Sequence, residues 1–352
     1  MAQIRARGEV ARKFIIENVE THPSDIIAYV ANKLALSRQA VHKHVQRLVE
    51  EGVISEAGQT RNKVYQLVSS VSWQREYPLD GQISEDQVWR NDISPSLGQI
   101  PENVMNIWHY GFTEMFNNAI DHSEGTSIRV ILRKTAATTT ISLHDDGIGI
   151  FKKIQAALGL LDERHAVLEL AKGKFTTDPK NHSGEGIFFA SRMFDQYRIL
   201  SGNVFFSHDF EDAADWILEG DHAVRGTNVT MQLANHTSRT TKKIFDKFTT
   251  DKNYGFTKTV VPVKLTQYGD DNLVSRSQAK RLLARIDRFK VVVFDFVGVT
   301  SIGQAFADEV FRVFANQYPG IEIVAVNTGS AVKRMISRAR SHEATAAYPT
   351  SD

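Results

Sequence analysis

PENVMNIWHYGFTEMFNNAIDH, Pro101 to His122, has the periodicity of one amphipathic helix, with Val104, Ile107, Phe112, Met115, Phe116 and Ala119 able to pack inward. Glu114, Asn118 and Asp121 stand at i, i+4 and i+7 and share a different stripe. A carboxylate and a carboxamide one turn apart suit a hard cation and a water: the amide oxygen can ligate Mg2+ while the carboxylate takes a proton from attacking water. The same spacing is also that of an ordinary solvated helix face.

The residues beyond this helix decide between the two readings. Ser127 to Lys134 and Thr140 to Asp145 read as two strands joined by the Thr-rich turn 135–140. The second runs into Asp145-Asp146-Gly147-Ile148-Gly149-Ile150, where two glycines after a carboxylate let backbone pass close to a ligand. Ser183-Gly184-Glu185-Gly186 precedes the helical run Ile187 to Phe194, leaving small residues and free N–H groups at a helix start, where phosphates bind readily. Arg225 to Met231 brings a Gly-Thr pair onto a late strand.

In this order and spacing the four pieces resemble the N, G1, G2 and G3 boxes of the GHKL ATPase superfamily, which includes gyrase, mismatch-repair ATPases, the large cytosolic chaperone and histidine kinases. The resemblance implies bound ATP and Mg2+. Carried over by position, Glu114 orients or activates the hydrolytic water and Asn118 holds Mg2+. Asp145 accepts a hydrogen bond from the adenine amino group, with Thr227 helping through water. Gly147, Gly149, Gly184 and Gly186 shape the pocket and a lid spanning Phe151 to Ser183. Asp121 and Lys174 join the nucleotide-binding set, although a solvated lid charge is the other reading of both Lys172 and Lys174. No helical hairpin with a phosphoacceptor His precedes the helix, so His109 and His122 are structural or pocket-edge residues. Glu114 permits hydrolysis or phosphotransfer.

Upstream, Asp25 to Lys33 reads as a short helix burying Ile26, Ile27 and Val30, and Ser37 as the N-cap of a second helix running to Glu51. Val41, Val45 and Leu48 turn inward on that helix, while Arg38, Gln39, His42, Lys43 and Gln46 turn outward. Val53-Ile54, a polar tip from Gly58 to Lys63, and Val64 to Val68 make a two-stranded wing. The stretch resembles winged helix-turn-helix DNA-binding domains of bacterial regulators. That implies base contacts from Gln39, His42 and Lys43 beside Arg38, and phosphate contacts from Arg61 and Lys63. Residues 1–70 hold ten Lys and Arg against seven Asp and Glu, a mild excess of +3. A winged helix used for protein contacts is the alternative.

Downstream, strand-like runs (Thr259 to Leu265, Val291 to Phe296, Ile321 to Val326) alternate with helical ones (Ser275 to Phe289, Ala305 to Gln317, Ser330 to Arg340). The run Val291 to Gly303 and its following helix resemble STAS-like domains, similar to anti-sigma-factor antagonists. Gly303-Gln304-Ala305 occupies the place of the antagonists' phosphorylatable Ser, and Ser301 precedes it. A packing or dimerisation module is the other reading, with Asp308, Glu309 and Arg312 on a solvated face.

Three hundred and fifty-two residues favour two or three domains. The expected division is a winged helix at 1–68, a linker at 69–98, a GHKL α/β sandwich at 99–240 with a mixed sheet covered by helices on one face, a polar bridge at 238–250, and a STAS-like α/β module at 251–345. Forty-two Lys and Arg balance 41 Asp and Glu at net +1, so any nucleic-acid surface is local. No Cys means no disulfide, thiolate nucleophile or thiolate zinc site. No apolar run reaches the roughly 18 residues of a membrane span, and the amino terminus lacks a signal-peptide stretch. These features predict a cytoplasmic homodimer, with double-stranded DNA, ATP and a protein met through the STAS-like module as partners. Nucleotide state would control DNA or partner binding. The alternative is an anti-sigma-type serine/threonine kinase acting on a STAS-domain protein.

Overall fold

The structure, a computed structural model, describes residues 2–59, 62–175, 184–212, 215–249, 255–267 and 272–345. The chain is mixed α/β and multidomain, as its sequence pattern implies. It opens with three helices, α1 (Ala2–Asn18), α2 (Ile26–Leu34) and α3 (Arg38–Glu50), followed by the antiparallel pair β1 (Ile54–Ala57) and β2 (Val64–Leu67). Ala35 takes a left-handed conformation at φ 50° that ends α2, and Ser37 Oγ accepts from Ala40 N at 3.2 Å to start α3, so the turn between the helices is tight. Ile15, Val30, Val41, Val45 and Leu48 are fully enclosed and form this module's own core. One detail differs from expectation: Ile27 is only half-buried and Ala31 is buried instead, because the inward stripe of α2 runs i, i+4, i+5 from Ile26.

A five-stranded sheet comes next in the order β3-β4-β5-β7-β6, built from β3 (Val71–Pro78), β4 (Ser127–Lys134), β5 (Thr138–Asp145), β6 (Gln196–Asp209) and β7 (Trp216–Ala234); it is antiparallel at every pairing, not mixed as expected. Ile128, Val130 and Leu132 on β4 and Ile141 and Leu143 on β5 alternate with more exposed residues, so one face is covered. The segment expected to be a linker, 69–98, belongs to this domain. β3 is its edge strand, paired along its whole length with β4, and α4 (Glu85–Val88), a π-helical turn Trp89–Ile93 and α5 (Ser94–Leu97) bury Val88, Trp89, Ile93 and Leu97. An edge strand with only Tyr77 buried has no alternating signature to read.

The quoted stretch forms α6 (Glu102–His122), with Trp108, Phe112 and Phe116 fully enclosed against the sheet; burying each contributes about 2 kcal/mol. The region expected to be a lid is largely packed helix, α7 (Ile150–Leu158) and α8 (Glu163–Lys172), with Phe151, Ile154, Ala166 and Val167 buried. Its last part, 176–183, lies outside the described residues. α9 (Gly186–Met193) precedes β6. The expected polar bridge holds α10 (Thr241–Lys247), started by Thr240 Oγ1 accepting from Lys243 N at 3.2 Å and anchored by Ile244 and Phe248.

The carboxy-terminal module is a parallel three-stranded sheet of order β10-β9-β8, from β8 (Lys258–Pro262), β9 (Val291–Asp295) and β10 (Glu322–Val326). Central β9 buries Val292, Val293 and Phe294 in succession, which is why it reads as an apolar run. Around it lie α11 (Arg276–Leu283), α12 (Gln304–Asp308), a π-helical stretch Glu309–Phe314, α13 (Ala315–Gln317) and α14 (Ser330–Thr345). Arg312 grips Asp308 at 2.5 and 2.6 Å, a pair that is partly enclosed where a solvated face was expected. The Phe256 ring packs, tilted or edge-on, with its centre 4.5–5.2 Å from those of Phe188, Phe189 and Phe289, so this module and the five-stranded sheet share one continuous core. No helix among the described residues is long and apolar enough to cross a membrane.

Candidate functional site

Four stretches far apart in sequence meet around a cavity of about 270 Å³. α6 contributes Glu114 and Asn118 from consecutive turns, the end of β5 contributes Asp145, the start of α9 contributes Gly184 and Gly186, and β7 contributes Thr227. Ile150, Ile154, Leu170, Ile187 and Val229 supply apolar walls. A partly open cleft with apolar walls and a few convergent polar groups is a usual form of a small-molecule site.

Asp145 is only 6% exposed. Its Oδ1 accepts from Gly147 N at 3.0 Å and Thr227 N at 3.2 Å, which leaves Oδ2 without a partner among the described residues. Burial pushes its carboxyl above the usual range, while those two N–H donors pull against the shift. Thr227 Oγ1 accepts from Ile150 N at 3.0 Å and ties β7 to the first turn of α7. Gly149 starts that helix at φ +90°, where a Cβ would lie 2.6 Å from Ser201 Oγ, so only glycine fits. The neighbouring Asp146 faces away; Thr126 and Ser127 hydrogen-bond it and hold it down to about 2.

Glu114 lies against the amino terminus of α9: a Cβ on Gly186 would stand 2.0 Å from Glu114 Oε2. A carboxylate is favoured there by the helix dipole. Tyr110 and Tyr197 are enclosed nearby, their hydroxyls pushed well up by burial and then by the Glu114 charge. Asn118 Nδ2 reaches Met115 Sδ at 4.0 Å. His122 lines the cavity, and His109 packs its ring edge on Trp89 at 4.9 Å.

Other expected residues are elsewhere. Asp121 shares the stripe of Glu114 and Asn118 but is exposed and does not line the cavity; it lies at the edge of that stripe, outside the arc of Met115, Asn118, Ala119 and His122 that borders the space. Gly147 and Gly149 shape the loop behind Asp145 without lining the space. Lys174 turns away, its Nζ donating to Arg288 O at 3.1 Å and lying 4.8 Å from the Phe289 ring centre. Lys172 neither faces solvent nor reaches the cavity: it is 1% exposed, bonded to Glu169 at 2.7 Å and to the carbonyls of Arg281 and Ala284. Ser183 lies outside the described residues. Sequence reasoning missed Lys153, which lines the cavity and closes the carboxy end of α6 by donating to His122 O at 2.8 Å, and Phe175, also on the wall. A lysine one turn into the helix after Gly149 was the available signal for the first; the second had none.

On the amino-terminal module, Arg38, Gln39, His42 and Lys43 are exposed along one face of α3. Gln46 is half-buried, 3.4 Å from Glu56, and Lys63 is bonded to the same carboxylate at 2.9 Å, so the Lys63 cation is already partly neutralised. Lys63 holds the Glu56 carboxyl below its ordinary range. Arg61 lies outside the described residues.

Residues 27–55 match the winged helix-turn-helix DNA-binding family, and residues 278–333 match a STAS-like domain of unknown function. No curated protein matches the chain. Both matched stretches lie outside the segment that carries the cavity. Together with the exposed α3 face they support a DNA-binding regulator that carries a STAS-like module.

Proposed function

We propose that the protein is an ATP-binding, ATP-hydrolysing regulator of the GHKL type whose nucleotide state controls its hold on DNA or a partner. The observation that carries this reading is the convergence of Glu114, Asn118, Asp145, Gly186 and Thr227 on one cavity from separated stretches. Asp145 Oδ2 is the acceptor for the adenine amino group, and the apolar walls take the ring. Among the described residues no three His, Cys, Asp or Glu side chains cluster to hold a metal by themselves. Mg2+ commonly binds through one or two protein ligands, waters and substrate phosphates; Asn118 would be its protein ligand, and the ion would supply charge neutralisation at the phosphates. Glu114, braced against α9, accepts a proton from the attacking water.

Titration of the full chain with ATP and Mg2+ tests the reading: heat and thermal protection support it, and their absence overturns it. Glu114→Ala is expected to bind ATP and lose turnover. Label from the γ-phosphate released as inorganic phosphate supports hydrolysis, whereas label on protein favours an anti-sigma-type kinase. Double-stranded DNA binding measured with and without nucleotide across a salt series tests the coupling, and an affinity indifferent to nucleotide removes it.

A further inference from the structure

The stretch from Leu170 to Phe175 has two faces. Leu170 and Phe175 line the cavity, and Phe175 N donates to the carbonyl of Gly184, another wall residue, at 3.1 Å. The opposite face is held by residues 281–288 of the carboxy-terminal module. Lys172 Nζ donates to Arg281 O at 3.0 Å and Ala284 O at 2.9 Å, capping the end of α11. Lys174 and Arg288 exchange bonds, each side chain donating to the other's carbonyl at 3.1 Å. The Arg285 guanidinium lies 5.1 Å from the centre of the Phe175 ring, while its Nε is 3.5 Å from Glu169 Oε2. Lys174 and Arg285 also hold left-handed backbone, at φ +55° and +62°, a region that side-chain-bearing residues seldom adopt and that clusters at functional contacts.

We infer that Arg285 is a positioning residue for the nucleotide cavity, acting through Phe175, and that the turn between α11 and β9 thereby senses whether the cavity is filled. Arg285 braces the wall from behind; a nucleotide pressing on Phe175 and Leu170 from the front favours the gripped arrangement, and linkage makes the effect reciprocal. Arg285 also lines a second cavity of about 300 Å³ on the outer surface, beside Lys280, Asp287, Glu309 and Tyr318. Anything bound there touches the residue that props the nucleotide wall. The inference rests on the nucleotide reading of the first cavity.

The test titrates Mg-ATP into the full-length wild type, Arg285→Ala and Arg285→Lys, and follows amide hydrogen exchange over 281–289 with and without nucleotide. Arg285→Ala is expected to weaken binding by about five- to tenfold, the lower end of ordinary coupling. Arg285→Lys is expected to fall between, since an ammonium keeps the Glu169 contact and loses the planar face on Phe175. Nucleotide is expected to slow exchange at 281–289 in the wild type. Should Arg285→Ala fail to fold, Arg285→Lys and the wild-type exchange decide. Wild type that binds nucleotide while the variants bind equally well and exchange at 281–289 stays unchanged overturns this inference and leaves the proposed function standing. Wild type that binds no nucleotide overturns both.

Discussion

The winged helix and the unit behind it are held together in opposite ways. The winged helix keeps a small core of its own, drawn from α1 to α3 and the wing, and is joined to the rest through residues 68–70 between β2 and β3. The five-stranded sheet and the STAS-like module share one core, an aromatic cluster around Phe256 and the buried Lys172–Glu169 pair. Where a core is shared, a change at the cavity reaches the neighbour through packed atoms. Where it is separate, a change reaches the DNA reader along the chain, and Ser70 N bonded to Lys134 O at 2.8 Å ties that connection to the sheet.

The contrast can be broken most severely at Lys172. Lys172→Ala leaves buried Glu169 with only its longer contact to Arg285 and removes the donor to the carbonyls of Arg281 and Ala284; it is expected to cost about 3 kcal/mol, lowering the unfolding transition of the rear unit. A calorimetric scan that resolves the winged helix should leave its transition in place; a common shift would mean the two cores are one cooperative unit. Leu48→Ala is the converse. It opens a cavity in the small core and is expected to cost about 3 kcal/mol there, with ATP affinity unchanged by titration.

Asp145→Asn sharpens the comparison inside the rear unit. Burial raises the folded-state pKa of Asp145, so the folded state binds more protons than the unfolded one in the window just above the ordinary carboxylate value, and the carboxylate costs stability at neutral pH. Asparagine keeps the Oδ1 acceptor and removes that charge. The variant is expected to melt slightly higher without ligand and, under the proposed function, to lose nucleotide affinity by about 1–3 kcal/mol, since a protein donor would then face the adenine amino group. A lower melting point and intact affinity would place the adenine elsewhere. Asp146 has the opposite sign: its depressed pKa contributes stability that is present above the unfolded carboxylate value and lost as pH falls toward about 2, so Asp146→Asn should flatten the acid limb of a melting-temperature profile. The smallest effect is expected at the front. Lys43→Ala should weaken DNA binding and reduce the slope of log affinity against log salt by about one if the side chain meets phosphate, with the rear unit's melting unchanged. An unaltered slope takes Lys43 out of the interface.

Much of this was legible because the signals are local. Ser37 capping α3, the inward Val41, Val45 and Leu48, the hairpin of β4 and β5, and the apolar run of β9 each arise from periodicity or turn chemistry within a dozen residues. The segment 69–98 was illegible as structure because β3 exposes most of its side chains and borrows its order from β4. Lys172 was illegible for a related reason. A lysine beside Gly173 and Lys174 reads as solvated; its burial is made tolerable by Glu169 one turn back together with the carbonyls at the end of α11, about 110 positions onward, which no local pattern announces.

The amino-acid sequence alone determined the helix pair with its wing, the stripe of Glu114 and Asn118, the glycines after Asp145 and the alternating strands and helices of the last module, since capping, periodicity and backbone freedom act between near neighbours. Tertiary structure alone decided which of those residues share a cavity, that Lys174 and Asp121 turn away from it, and that the sheet and the STAS-like module are a single packed body. Those outcomes depend on contacts between groups a hundred residues apart, whose desolvation and pairing no local pattern encodes.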